Sequence, residues 1–362
     1  MRILFAHPGL HRYDRGSEIA FISIARELTR LGGAVTLIGS GLYRSAESYR
    51  FLRAPCVSRE RFKSFPSIPI FRTEFTYEEL TFACNLLRCY RPADHDVTVA
   101  CSYPFTNWSL RRPTILRKSP RHVFVTQNGD WPAQSKNSEY RLFRCDGLIC
   151  TNPDFYERNK NRWRCILIPN GVNCELFTPG QSSREEFDLP PDKKIVLMVS
   201  ALYPRKRVNL GIEAIHKLDN VHLVVAGDGP LRPELELQAS RLLPGRFTCL
   251  SIPSERMPTL YRSADVLLHL AREESFGNIF VEALACGLPI VAQDSLRVRW
   301  IVGDTEFLVD TADVNAIAEG IDAALDSPPS RQAHRVARAK TFSWPRIGEM
   351  YHSFLQQVVN SA

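Results

Sequence analysis

Apolar positions along this chain follow two alternating rhythms. Short apolar runs of strand length lie at 3–6, 35–38, 97–100, 123–126, 148–150 and 166–168. Between the first two runs, Ile19, Ile22, Ile24, Leu28 and Leu31 recur at helical spacing, and Gly32-Gly33 ends the stripe. Strand, helix and strand in that order predict a β-α-β unit, and hence a parallel sheet. Residues 44–80 are irregular, aromatic and basic, and no element order is assigned to them. A turn signal at Ile168-Pro169-Asn170-Gly171-Val172 and a polar run to Pro191 interrupt the pattern, which then restarts. Strands are expected at 195–200, 221–226, 247–250, 266–269 and 290–292, with helices at 208–218, 231–243, 257–263, 278–286 and 314–325. Two consecutive units of this kind predict an α/β fold of two Rossmann-like domains facing a cleft. An amphipathic stretch at about 344–359 reads as a helix crossing back to the first domain. The boundaries drawn on this pattern are 1–172, 173–340 and 341–362.

Composition narrows the picture. A chain of 362 residues is long for one hydrophobic core, which agrees with two domains. No apolar run approaches the roughly 20 residues of a membrane span, and the N-terminus reads as a first strand rather than a signal peptide. The ten cysteines are scattered with no Cys-x-x-Cys pair, a pattern of reduced thiols in a cytoplasm. Charge is uneven: residues 1–180 carry 26 Lys+Arg against 16 Asp+Glu, and residues 181–362 carry 20 against 23. The basic first half reads either as a solvated arginine-rich surface or as a face for an anionic acceptor or a peripheral membrane contact. No nucleic-acid recognition motif accompanies the charge, so nucleic acid is not an expected partner.

The densest chemistry lies between 273 and 292. From Ile279 to Ala292, Glu282 is the one charged residue in fourteen. A carboxylate buried there needs donors, and the vicinal hydroxyls of a ribose would supply two hydrogen bonds. A helix starting near Asn278, after Ser275-Phe276-Gly277, would set N–H groups and the positive dipole end beside Glu274, a natural diphosphate site. Gly277 would let backbone approach a ligand closely. The alternative is a helix with one surface glutamate beside a sharp loop.

Glu274 and Glu282, with seven residues between them, within Glu274-Ser275-Phe276-Gly277 and Glu282-Ala283-Leu284-Ala285-Cys286-Gly287-Leu288-Pro289, resemble the paired-glutamate motif of the retaining nucleotide-sugar glycosyltransferases with the B-type fold (family 4, group 1). Gly16-Ser17-Glu18, the 168–172 segment with Phe177 and Pro179, Pro204-Arg205-Lys206-Arg207, Gly227-Asp228-Gly229-Pro230 and Ala264-Asp265-Val266 also look like elements of that family. Residues 40–120 carry no recognisable family words. The resemblance implies that residues 1–172 bind an acceptor and residues 173–340 a nucleoside-diphosphate sugar. Glu282 would hold the ribose hydroxyls and Glu274 the donor sugar. Amides of Phe276, Gly277 and Asn278 would meet phosphate or sugar oxygens. Lys206 with Arg205 would neutralise the leaving diphosphate, and Gly16 would offer it a backbone amide. No metal or other cofactor is implied.

Two departures from the family stand out. Ala201 occupies the place of a common arginine, and Gln127-Asn128 the place of a common histidine, leaving Gln127 and Asp130 as catalytic candidates there. The expected activity is sugar transfer with retention, in polysaccharide or glycoconjugate synthesis, onto a glycan, lipid-linked, small or anionic acceptor. An epimerase of the same architecture and a non-catalytic nucleotide-sugar-binding protein stay open as alternatives. A dinucleotide oxidoreductase would need Gly-x-Gly-x-x-Gly in the first loop, where only Gly9 and Gly16 occur.

Overall fold

The computed structural model describes residues 1–112 and 119–361. The chain forms two compact units: Met1–Asn170 joined by the chain from Trp344 onward, and Gly171–Ser343.

The first unit holds seven strands: β1 (Arg2–Ala6), β2 (Ala34–Gly39), β3 (Arg50–Arg53), β4 (Val97–Ala100), β5 (Arg121–Val125), β6 (Gly147–Cys150) and β7 (Cys165–Leu167). Their order is β3-β2-β1-β4-β5-β6-β7, and each observed pairing is parallel. Ile3 to Ala6 and Val97 to Ala100 are buried throughout, because helices cover both faces of a parallel sheet and leave no solvent side to alternate with. The helix Gly16–Arg30 buries Phe21, Ile24, Ala25 and Leu28 and stops where Gly32 turns left-handed at φ 83°. The final helix, Trp344–Asn360, packs Ile347, Tyr351, Phe354, Leu355 and Val358 into the same core as Ile3, Phe5 and Phe21. Five such side chains at about 2 kcal/mol each give an upper bound on the order of 10 kcal/mol holding that helix to the first unit.

Residues 44–80 are not irregular throughout. They include β3 and the start of a helix, Glu74–Cys89. The strand escaped notice because it is a short edge strand with arginines at both ends, half exposed, as edge strands commonly are. The helix escaped because its buried face mixes Thr76, Glu78 and Glu79 with Phe82, Ala83 and Leu86, which blurs the apolar stripe.

The second unit holds β8 (Lys194–Val199), β9 (Val221–Ala226), β10 (Phe247–Leu250), β11 (Val266–His269), β12 (Ile290–Gln293) and β13 (Phe307–Val309), in the order β10-β9-β8-β11-β12-β13 and again parallel. β13 and the helices Leu296–Val302 and Arg331–Lys340 lie beyond what apolar periodicity suggests. Arg335, on the second of these helices, is buried against Glu306, with Nε 2.8 Å from Oε1; Oε2 of Glu306 accepts the Ile290 N–H at 2.8 Å. The first crossing of the chain into this unit runs beside its exit: the Val172 N–H donates to the Phe342 carbonyl at 2.9 Å, and Val172 bridges Ser343.

Candidate active site

Each sheet reverses its strand order once, between β1 and β4 and between β8 and β11. Open α/β sheets take ligands outside the C-terminal ends of the strands that flank such a reversal. The motif residues of the second unit gather there. β8 runs out through Ser200 and Ala201 into the turn Pro204–Lys206, and β11 ends on His269, shortly before Glu274. The Gly227-Asp228-Gly229 turn packs against this exit so closely that a Cβ at Gly227 would sit 1.9 Å from the Ser200 carbonyl oxygen. Only glycine fits that contact.

Lys206 reaches Glu274 with an ion pair from Nζ to Oε1. Buried His269 approaches the same oxygen from the end of β11, with Nε2 at 3.4 Å, an ion-pair distance rather than a well-aligned hydrogen bond. The ring of His269 rests edge-on against Phe280, which fixes its plane. Burial alone would raise the Glu274 carboxyl, but contact with His269 and the Lys206 ammonium outweighs it and holds the group down to about 2. Arg297, in the helix Leu296–Val302, donates from Nη1 to the Glu274 carbonyl. Sequence reasoning missed His269 and Arg297. The signal for His269 was its place at the C-terminal end of a predicted strand, whereas Arg297 lies in a short helix that no pattern announced.

The helix Asn278–Cys286 begins where expected, with Gly277 at φ 91° as its N-cap. A side chain at that φ would be strained, and a Cβ would also meet the Phe280 ring at 2.8 Å. The Phe276 side chain is buried against Trp300 and Phe342, so only its backbone is available to a ligand. Glu282 lies one turn into the helix, partly accessible, and Oε2 accepts a hydrogen bond of 2.8 Å from buried Tyr261. Burial pushes the Glu282 carboxyl up to about 7, and the Tyr261 hydroxyl only partly offsets that. Arg205 is exposed. Its neighbour Arg207 turns left-handed at φ 58° and donates to Thr311 Oγ1 at 2.9 Å, so it faces the β12 side of the unit. Ala201 is exposed and offers no polar side chain.

In the first unit, Gly16 opens the helix Gly16–Arg30, whose first-turn N–H groups have no intrahelical acceptors. Gln127 and Asp130 follow β5, and both are engaged elsewhere. Gln127 is buried and exchanges amide hydrogen bonds with Asn170, at 2.6 and 3.0 Å. Asp130 receives Arg158 through Nε at 3.1 Å and Nη2 at 2.8 Å, and Asn159 at 3.0 Å. The geometry makes Asp130 a buried anchor between the β5 loop and the helix Pro153–Asn159. Gln127 likewise anchors the end of the 168–170 segment.

Residues 15–176 match the family model described as Glycosyltransferase Family 4, and residues 180–341 match that of Glycosyl transferases group 1. The first match runs through residues 40–120, where the sequence reading found no family words. A curated relative, the D-inositol 3-phosphate glycosyltransferase of Mycolicibacterium smegmatis, is 34% identical over 198 residues, which are 51% of this chain and 46% of that protein. The chain thus spans less than half the length of the curated relatives it matches. Among solved structures, sucrose-phosphate synthase from Thermosynechococcus elongatus covers 100% of both chains with a TM-score of 0.81 at 20% identity. Anabaena HepE in complex with UDP and glucose covers 99% of this chain and 100% of its own, with a TM-score of 0.74 at 18% identity. At such identities the likeness is one of fold.

Proposed function

Because the chain belongs to the family 4, group 1 glycosyltransferases of the B-type fold, we propose that it transfers a sugar from a nucleoside-diphosphate donor to an acceptor hydroxyl with retention of configuration. The carrying observation is the cluster at the C-terminal ends of β8 and β11: Lys206 on an ionised Glu274, beside the N-terminus of the helix that bears Glu282. Each part has a task in such a reaction. Breaking the glycosidic bond builds negative charge on the distal phosphate, and the Lys206 ammonium with the amides from Phe276 to Asn278 stabilises it. Exposed Arg205 adds a second cation within reach of the same phosphates. Glu274, fixed by Lys206 and His269, accepts hydroxyls of the donor sugar. Glu282 takes the ribose hydroxyls, whose hydrogen bonds make good what burial removes from its carboxylate.

Gln127 and Asp130 are tied to Asn170, Arg158 and Asn159. We therefore assign the acceptor's proton to the leaving phosphate, on the face of the sugar that it vacates. UDP-glucose is the first donor to test, since HepE was solved with UDP and glucose. The relative named for D-inositol 3-phosphate makes phosphorylated acceptors the first class to try.

The experiment is a thermal-shift screen of the full chain against UDP-, GDP- and ADP-sugars, followed by product analysis with resolution of the anomeric configuration. Stabilisation by one base series that Glu282→Ala abolishes, with a product of retained configuration, is the expected result. Free epimerised sugar nucleotide would replace transfer by epimerisation, and stable binding without turnover or donor hydrolysis would leave a binding protein.

A further inference from the structure

The crossovers from β8 to β9 and from β9 to β10 run through the helices Val208–His216 and Arg232–Leu242 of the second unit. A groove of about 820 Å³ runs along the second of these helices, where Pro204, Asn209, Leu231, Leu235 and Leu242 line it, and none of the residues assigned to the donor does. Leu237 lines it too and keeps 53% of its surface exposed; Tyr203, next to Pro204, keeps 49%. Single exposed apolar side chains are ordinary on a protein surface. An exposed leucine on an apolar groove differs from these, because a partner that covers it buries a continuous patch.

The charges around that leucine say what the partner is. Of the charged side chains on the helix Arg232–Leu242, Arg232 and Glu236 pair with each other, with Nε 2.8 Å from Oε1. Gln238 is tied across to the neighbouring helix, where Nε2 donates to Glu213 Oε1 at 3.3 Å and to the Asn209 carbonyl at 3.4 Å. Glu234 and Arg241 remain, both exposed and neither with an ion-pair partner among the described residues. Positions 234, 237, 238 and 241 have the i, i+3, i+4, i+7 spacing of one helical face, so Leu237 lies between the two unpaired charges. At a rise of 1.5 Å per residue, Glu234 and Arg241 stand about 10.5 Å apart along the axis, outside the i, i+4 reach of an ion pair within one helix. Such a face is complementary to itself. Turned about a two-fold axis midway between Leu237 and Gln238, it sets position 234 opposite position 241 and 237 opposite 238. A second copy of this chain therefore brings both countercharges at the required spacing and meets Leu237 with its own groove. The acidic first turn of each helix then lies over the basic last turn of the other, as the helix dipoles favour.

We propose that two copies of the chain associate through this face, as an isologous pair of antiparallel helices Arg232–Leu242 with Glu234 of each copy on Arg241 of the other and Leu237 at the centre. One helix and its groove make a contact smaller than that of an obligate dimer, so the association is reversible, with a dissociation constant on the order of 1–100 µM. The inference is independent of the transferase reading, since none of the residues it uses is assigned to the donor.

The test is sedimentation equilibrium of the full chain from about 1 to 200 µM, at low and at high salt. The wild type is expected to pass from monomer to dimer across that range, and less readily at high salt. Leu237→Asp sets a charge at the centre of the contact and should remain a monomer. Glu234→Arg and Arg241→Glu each put like charges together at both ends of the pair, so each should weaken association about 10-fold or more, every change counting twice by symmetry. The double variant Glu234→Arg/Arg241→Glu restores opposite charges and should dimerise as the wild type does. An equimolar mixture of the two single variants should likewise form a mixed dimer, an outcome that damage to the fold does not produce. All three positions are exposed, so each variant should melt at the wild-type temperature. A chain that stays monomeric throughout the range overturns the proposal and leaves the groove to a different partner. A dimer that Leu237→Asp leaves intact also overturns it, as do charge reversals that neither the double variant nor the mixture restores.

Discussion

If Glu282 takes ribose hydroxyls, donor binding must be coupled to its proton. In the unliganded protein the carboxyl titrates at about 7, and only its ionised form can accept both hydroxyls. Hydrogen bonds from the ribose lower that value, so binding expels a proton wherever the free site holds one. For a site at about 7, roughly a tenth is ionised at pH 6 and roughly nine tenths at pH 8, so affinity rises about tenfold across the window, about 1.4 kcal/mol. The intact UDP-sugar is the right ligand, because its diphosphate, esterified at both ends, has no proton to lose in that range. Calorimetry at pH 6 in buffers of differing ionisation enthalpy should show close to one proton released for each donor bound, and Glu282→Gln should bind more weakly with a flat pH profile. The same shift acts on folding with a definite sign. A carboxyl raised above its unfolded value of 4.5 contributes stability below that pH and loses it as pH rises through 7, so donor stabilisation measured by melting should grow from pH 6 to 8. A wild-type profile as flat as that of Glu282→Gln would refute the ribose assignment.

Other substitutions separate chemistry from scaffolding. Lys206→Ala should lower kcat about 10²–10³-fold, with a modest melting loss because Glu274 keeps His269; equal losses of turnover and stability would make the lysine structural. Asp130→Ala should lower stability by about 1–3 kcal/mol in urea titration by freeing Arg158 and Asn159, while kcat of the folded fraction stays near wild type. Arg335→Ala strands Glu306 in the core and should cost about 3 kcal/mol or more, with UDP-sugar affinity unchanged once the variant is folded in the cold. His269→Ala should raise KM for the donor and leave the Glu282-linked proton release intact; loss of that release would mean the two glutamates are coupled.

The second unit was the more legible half, and the reason is physical. Its central strands β8, β9, β11 and β12 are largely buried and read as mostly apolar runs, and its site residues sit at turns where glycine, proline and a solitary charge stand out. In the first unit the informative residues are polar groups inside a helix and at strand ends. Glu78 and Glu79 look like a solvated helix face in sequence, yet both are buried. His7 reads as an ordinary residue after a strand, yet it is buried, with Nδ1 accepting the Gly9 N–H at 3.0 Å and Glu18 Oε1 3.8 Å away. Gln127 and Asp130 show the converse. Their position suggests chemistry, while partners 28 to 43 residues away in sequence hold their side chains, and no local pattern announces such long-range bonds.

The paired glutamates make one further point about how such a site works. Two carboxylates eight positions apart are driven in opposite directions, one down to about 2 and the other up to about 7. The difference follows from what surrounds each: Glu274 meets an ammonium and an imidazole, whereas Glu282 meets a single phenol in an apolar pocket. Glu274 is therefore a permanent charge that keeps Lys206 in place before any donor arrives. Glu282 is a conditional one, only partly ionised near pH 7 until hydroxyls bind it. A site built this way couples recognition of the nucleoside to a proton and leaves the phosphate cation constantly poised. The two functions should then separate cleanly by pH: donor affinity should follow the titration of Glu282, while the rate of the bound complex should stay level from pH 6 to 8, because nothing holding Lys206 loses its charge on the carboxylate side in that range.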